Sequence, residues 1–138
     1  MDISIKYMLK YSMEDFKKLK EETMPLDKID LGDTMMWFVF DGKKPIGYAG
    51  LRLSARWKDC CYLNCAGVLP EYQGKGIQKK LIRARVAKAR KLGMEWVFSD
   101  TYRNPASENS LIACGFKLYL PEDEYATQHS IYWRKKLK

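Results

Sequence analysis

The residues best placed for chemistry lie in one run, Val68-Leu69-Pro70-Glu71-Tyr72-Gln73-Gly74-Lys75-Gly76-Ile77-Gln78-Lys79-Lys80-Leu81. A strand-like stretch feeds a loop with two glycines, and the loop opens a basic helix. Glycine lets a backbone approach a ligand closely because no Cβ intervenes. The first N–H groups of a helix lack intrahelical acceptors, and the aligned peptide dipoles make that end positive. Together these features make an anion site suited to a pyrophosphate. Lys75 and Lys79 or Lys80 add charge for a further phosphate. Other nucleotide loops fit less well. A Walker loop needs four residues between its glycines before Lys-Ser/Thr, and the dinucleotide fingerprint needs a third glycine where Lys79 stands.

The remaining chemically capable side chains are scattered. Cys60, Cys61, Cys65 and Cys114 offer no paired metal-binding units, and His129 is the only histidine. The four thiols therefore read as reduced, small apolar residues, and no metal is expected.

The elements that must position the loop can be read outward from it. Ile3 to Tyr7 alternates as a strand. Ser12 caps a helix from Met13 to about Thr23, where Pro25 stops it, and a short second helix is expected near Leu26 to Leu31. Thr34 to Phe40 and Pro45 to Leu53 form a hairpin about Asp41-Gly42, with Lys43 and Lys44 extending the loop. Cys60 to Val68 is the strand that enters the glycine loop. The helix beyond runs from about Gly76 to Leu92, with Ile77, Leu81, Ala84, Ile82, Val86 and Ala89 forming its apolar stripe. Basic residues, Arg85 among them, are assigned to the remainder of its surface. Gly93 ends it. Trp96-Val97-Phe98 reads as a short buried strand. Asn104-Pro105 starts another helix that must end by Gly115, and Phe116 to Leu120 and Gln128 to Arg134 close the chain as strands. The order implies a mixed α/β layered domain with a partly parallel sheet.

Composition sets outer limits. With 138 residues, 46% of them hydrophobic, the chain suits one domain with a real core. No apolar run approaches a membrane span, and Met1 to Lys6 lacks a signal-peptide pattern, so a soluble, cytoplasmic protein is expected. The net charge of +8 implies an anionic partner without identifying one. Trp37, Phe38, Phe40, Tyr48, Trp96 and Trp133 are spread over several strands and read as core, not as a base-stacking platform.

Gln73-Gly74-Lys75-Gly76-Ile77-Gln78 resembles the cofactor motif of the GNAT superfamily of acyl-CoA-dependent acyltransferases, Gln/Arg-x-x-Gly-x-Gly/Ala. Asn104-Pro105-Ala106-Ser107, Leu111 and Gly115-Phe116 resemble that family's following motif. The resemblance implies a mostly antiparallel central sheet, splayed at the cofactor-binding strand, with helices on both faces in a single domain over 1–138. It also implies direct transfer of an acetyl group from acetyl-CoA to a primary amine of a small molecule or peptide, by a monomer or homodimer. The Gly67 and Val68 backbones would steady the pantetheine arm, and the Val68 N–H would serve the oxyanion. Gln73, Gly74, Lys75, Gly76, Ile77, Gln78 and Lys79 would cradle the pyrophosphate.

Two positions depart from the pattern: Gln78 replaces a small residue, and Leu111 stands where many members carry a thiolate-protonating tyrosine. Asn104 has two readings, a pantetheine contact and a plain helix cap. Asp100 is the nearest carboxylate by topology, either as catalytic acid-base group or as a loop cap; Tyr102 and Ser110 are further proton donors, and His129 reads as structural. The competing functions are a CoA-binding protein without turnover and a nucleic-acid-binding protein using the basic helix. Specific nucleic-acid and membrane partners are not expected.

Overall fold

The computed structural model describes residues 1–25, 32–122, 125–126 and 129–138. The expected helix at Leu26 to Leu31 lies outside the described residues. Among the described residues, seven strands form one sheet in the order β1-β2-β3-β4-β5-β7-β6. They are β1 (Ile3–Met8), β2 (Thr34–Asp41), β3 (Lys44–Leu53), β4 (Cys60–Val68), β5 (Trp96–Thr101), β6 (Lys117–Tyr119) and β7 (Ile131–Lys136). Every pairing is antiparallel except β4 with β5. Among the described residues, three α-helices flank the sheet: α1 (Met13–Thr23), α2 (Ile77–Lys91) and α3 (Pro105–Ala113).

Local chemistry sets the boundaries. Ser12 Oγ accepts from the Asp15 amide at 3.1 Å and starts α1, with Glu14 and Asp15 against its positive end. The β2–β3 turn is tighter than the sequence suggested: Lys44 pairs with Asp41, leaving only Gly42 and Lys43 in the loop. Gly42 has φ +59°, the left-handed geometry such two-residue turns require. β5 extends through Asp100 and Thr101, which pair with Tyr132 and Ile131 of β7, while Ser99 and Thr101 face the interior. β7 begins at Ile131, which leaves His129 exposed ahead of the strand. No helix among the described residues is long and apolar enough to cross a membrane.

The helices occupy both faces. Phe16 of α1 meets Phe38 and Tyr48 edge-on, with ring centroids 6.5 and 5.1 Å away. Neighbouring strand residues point to opposite sides, and Lys88 of α2 lies over Tyr7, which packs at a tilt against Trp37. α1 and α2 are therefore on opposite faces. α3 shares the α2 face, where Cys114 Sγ donates to Lys79 O and Thr101 Oγ1 donates to Glu108 Oε2. Trp133 Nε1 donates to the same Thr101 oxygen at 2.9 Å, fixing β7 beside that contact.

One assignment needs correction. Arg85 is not on the solvated face of α2 but only 2% exposed, in the middle of its apolar stripe. The spacing Ile77-Leu81-Arg85-Ala89 carries that signal, since residues four apart share a helix face. Trp96 and Phe98 also differ from the expected buried run; both are half-buried on the face opposite α2.

Candidate active site in the gap between β4 and β5

The sheet separates where two parallel strands should continue together. β4 and β5 pair only from Cys60–Trp96 to Tyr62–Phe98, yet β4 continues to Val68 and β5 to Thr101. The reason lies in β4. Gly50 of β3 pairs with Cys65, whereas Arg52 pairs with Tyr62, so Leu51 faces both Leu63 and Asn64. Such an extra residue bends and twists its strand. The resulting cleft of about 650 Å³ is lined by β4, β5, the glycine loop, α3 and the end of α1.

The wall made by β4 carries backbone groups turned into the gap. Leu69 N donates to Ile46 O at 2.9 Å. Antiparallel ladders alternate, so the N–H and C=O of Val68, opposite Gly47, point away from β3. The Val68 carbonyl accepts from Gln73 Nε2 at 3.1 Å, which ties the glycine loop to the strand end. Gly67 is close-packed: a Cβ there would stand 2.5 Å from Thr23 Oγ1 and 2.8 Å from the Tyr48 ring. Only glycine fits at that position without moving α1.

The glycine loop begins with a 3₁₀ turn at Pro70–Tyr72. Tyr72 Oη donates to Asp41 Oδ2 at 2.7 Å, anchoring the loop to the β2–β3 turn. That bond, followed by one from the Asp2 amide, holds the Asp41 carboxyl below its ordinary range; the same bond raises the Tyr72 phenol. Gly74 and Gly76 have φ +76° and +80°, and a Cβ on either would meet nothing within 4 Å. These glycines are required by backbone conformation, with open space above them. Lys80 N donates to Gly76 O at 3.2 Å, but the amides of Gly74 to Lys79 have no acceptor among the described residues. Six consecutive unpaired donors at a helix start fit an anionic group such as a pyrophosphate. Gln78 and Lys79 are half-buried and line the cleft; Lys75 is exposed and lies off its lining.

The opposite wall combines β5 and α3. Asn104 Oδ1 accepts from Ser107 N at 3.1 Å, so the cap is made, while its half-buried side chain also borders the cleft. Leu111 is 3% exposed and lines the cleft floor, so no hydroxyl is present at that position. Ser110 is buried with its hydroxyl donating to Ala106 O at 3.0 Å, whereas Tyr102 is exposed at the rim. Asp100 lies between inward-facing Ser99 and Thr101, so its carboxylate points to the face opposite α2 and α3. The gap is thus open to both faces, with the glycine loop on one and Asp100, Thr23 and Met24 toward the other.

Two features, one of them beside Asp100, were not legible as functional in the sequence. Tyr119, Tyr125 and Tyr132 flank it, with Tyr119 and Tyr125 oxygens 3.0 Å apart and Tyr125 Oη donating to Ser99 O at 3.4 Å. Burial first, then the bond to Tyr119 and the nearby Asp100 charge, raise the Tyr125 phenol well above its ordinary range. Register places Tyr132 beside Asp100 and Tyr119 beside Tyr132, contacts no short motif encodes. The second is Asn64, whose Nδ2 donates to Thr34 Oγ1 at 3.0 Å while its buried Oδ1 has no partner among the described residues. The residue lines the cleft at the strand bulge, with that oxygen enclosed beneath the surface.

Known proteins share this fold. The chain superposes on a Bacillus subtilis acetyltransferase in complex with CoA, with a TM-score of 0.79, 16% identity, and 99% of each chain covered. It superposes on an IAA acetyltransferase from Bacillus cereus with a TM-score of 0.78 and 21% identity, covering 98% of this chain and 99% of that one. For the ribosomal-protein-S18-alanine N-acetyltransferase of Escherichia coli the TM-score is 0.78 at 14% identity, with 97% and 93% covered. No curated protein matches by sequence. The family model for the GNAT acetyltransferases matches residues 5–116, which spans the bulged strand, the glycine loop and α3. The chain belongs to the GNAT acetyltransferase family.

Proposed function

We propose that the protein is an N-acetyltransferase that moves an acetyl group from acetyl-CoA to a primary amine of a small molecule or peptide. The observation that carries this reading is the two-sided gap, with unpaired loop amides on one face and a carboxylate toward the other. Family membership and the similarity to a CoA-bound acetyltransferase support the donor.

Each residue has a limited task. The amides of Gly74 to Lys79 hold the pyrophosphate, with Lys79 adding charge at the cleft edge. Gly67 and Val68 guide the pantetheine along β4. Acetyl-CoA supplies the acyl group already activated as a thioester. The amine attacks the carbonyl directly, forming the C–N bond as the C–S bond breaks, and the Val68 N–H donates to the carbonyl oxygen as it gains charge. Such fixed donors contribute by positioning and by requiring no reorganisation. Asp100 takes one proton from the incoming ammonium, and the second leaves the nitrogen for solvent once the C–N bond has formed. Leu111 gives the departing thiolate no donor; a thiol of pKa ~8.5 leaves without one at neutral pH.

Leu111 also favours a second reading, in which the same cleft holds CoA without turnover. One experiment separates them. Saturating acetyl-CoA should raise the melting temperature, because a ligand selective for the folded state stabilises it. Thiol release over a panel of amines should then exceed the amine-free rate. A thermal shift with no amine-dependent thiol release would favour the binding protein, and no shift would overturn both readings.

A further inference from the structure

Arg85 is a cation that the transfer reaction, as described, leaves unused. Its side chain is 2% exposed, lies in the core between α2 and the sheet, and borders the cleft. A guanidinium has five N–H donors. Nε donates to Leu81 O at 3.1 Å, and Nη1 donates to Gly50 O at 3.0 Å and Cys65 O at 3.2 Å. These use three donors. The two on Nη2 have no partner among the described residues, and Nη2 is not among the fully enclosed unpartnered atoms. It therefore meets the open space the side chain borders.

The charge also has no carboxylate partner among the described residues, with only the Cys65 and Cys114 sulfurs acting beside it. All three acceptors are neutral backbone carbonyls. Burial lowers its pKa to about 10, which leaves it protonated at neutral pH. Buried charges are ordinarily paired, because a lone ion in a low-dielectric interior is costly. A guanidinium with one free edge presents parallel donors matched to a carboxylate.

Its position identifies which reactant could bring that carboxylate. Arg85 is eight residues beyond Ile77, about 12 Å of helix rise from the pyrophosphate loop. It meets the sheet at Gly50 and Cys65, beside the register shift where the gap begins. A thioester held by its phosphates at the loop and running down β4 from Val68 points its acyl end toward this place, on the α2 face. Leu63, Ile82, Ser99 and Ser110 line the same cleft.

We propose that Arg85 is a receptor for a carboxylate at the far end of the acyl group, so that the preferred donor is the CoA thioester of a short dicarboxylic acid. The inference rests on reading the cleft as a CoA thioester site and changes only which acyl group it favours. The acyl transfer itself balances as before: the amine forms the new C–N bond, CoA leaves as thiolate, and the terminal carboxylate is unchanged.

The test is binding calorimetry on the intact chain with CoA, acetyl-CoA, malonyl-CoA and succinyl-CoA. Propionyl-CoA and butyryl-CoA serve as neutral controls of matched chain length. Malonyl- or succinyl-CoA should bind at least about tenfold more tightly than its control, as a charge-assisted bond to a buried partner implies. Arg85→Met should remove that preference and leave acetyl-CoA affinity within about threefold. If that variant does not fold, the wild-type comparison still decides. Equal binding of acidic and neutral thioesters by the wild type would overturn the inference and leave the CoA site standing. Failure of every CoA compound to bind would overturn the site and the inference together. Arg85-dependent binding of glycine to the CoA-loaded protein, with no preference among thioesters, would assign the carboxylate to the acceptor and overturn the donor assignment.

Discussion

The two faces of the gap are built in different ways. On the α2 face, the elements proposed to hold the donor come almost entirely from one continuous stretch, Gly67 to Lys79. Its glycine conformations, unpaired amides and helix start follow from nearest-neighbour geometry. On the other face, Asp100, Tyr119, Tyr125, Tyr132 and Asn64 come from β4, β5, β6, β7 and a connection between the last two. Their meeting depends on long-range pairing. A locally encoded site is tolerant of change elsewhere and fixed in ligand, whereas a site assembled from strand ends and loops can vary in ligand while the sheet stays the same.

The largest effect is expected where the two faces share support. Leu111 is buried beneath the cleft, and Leu111→Ala should cost ~2–5 kcal/mol of stability as a cavity opens. Denaturant titration measures this, and the folded fraction should still bind acetyl-CoA and turn over. An equally stable variant that binds but has lost turnover would give Leu111 a chemical role. Asp100→Asn should act on one face only, lowering kcat/KM by about 100-fold to 10,000-fold, the range for loss of a general base. Its acetyl-CoA affinity by calorimetry should be unchanged.

Gly76→Asp should act on the other face. Aspartate tolerates a left-handed φ better than most residues, so the fold should survive. The added charge beside the pyrophosphate should weaken acetyl-CoA binding by roughly 100-fold, since like charges a few ångströms apart near a surface repel by several kcal/mol. If Gly76→Asp and Asp100→Asn both altered binding and rate alike, the division between the faces would not hold.

The smallest change is expected at the anchor of the loop. Tyr72→Phe removes the hydrogen bond that, with the Asp2 amide, holds the Asp41 carboxyl below its ordinary range. A carboxyl lowered on folding stabilises the protein above its ordinary pKa and loses that contribution as pH falls through the lowered value. Wild type should therefore melt slightly above Tyr72→Phe at neutral pH, and the gap should close below about pH 4. A difference that persisted unchanged in acid would assign the effect to packing of the ring.

The same division explains what could be read in advance. The strand and helix boundaries around the loop followed from caps and glycines: Ser12, Gly76, Gly93, Asn104 and Gly115 each stand where the structure starts or ends a helix. Arg85 was misplaced because residue type outweighed its position in the stripe; charge suggested the surface, while the spacing from Ile77 and Leu81 pointed inward. The β4 bulge was not legible at all. Nothing in Tyr62-Leu63-Asn64-Cys65 marks an extra residue, since the register shift exists only relative to Leu51 of the neighbouring strand. With it were hidden the gap's exact depth and the partnerless Asn64 oxygen.

The central claim is that the loop amides and the β4 strand end hold a CoA thioester. Amide-resolved NMR titration with acetyl-CoA addresses it most directly, because each proposed donor is observed separately. The largest shifts should fall on Gly74 to Lys79 and on Val68, with Lys88 and Arg90 at the far end of α2 hardly changed, since the helix-start preference for anions fades within a turn. Shifts confined to Lys88, Arg90 and the other outer basic residues, or no shifts with saturating ligand, would contradict the account.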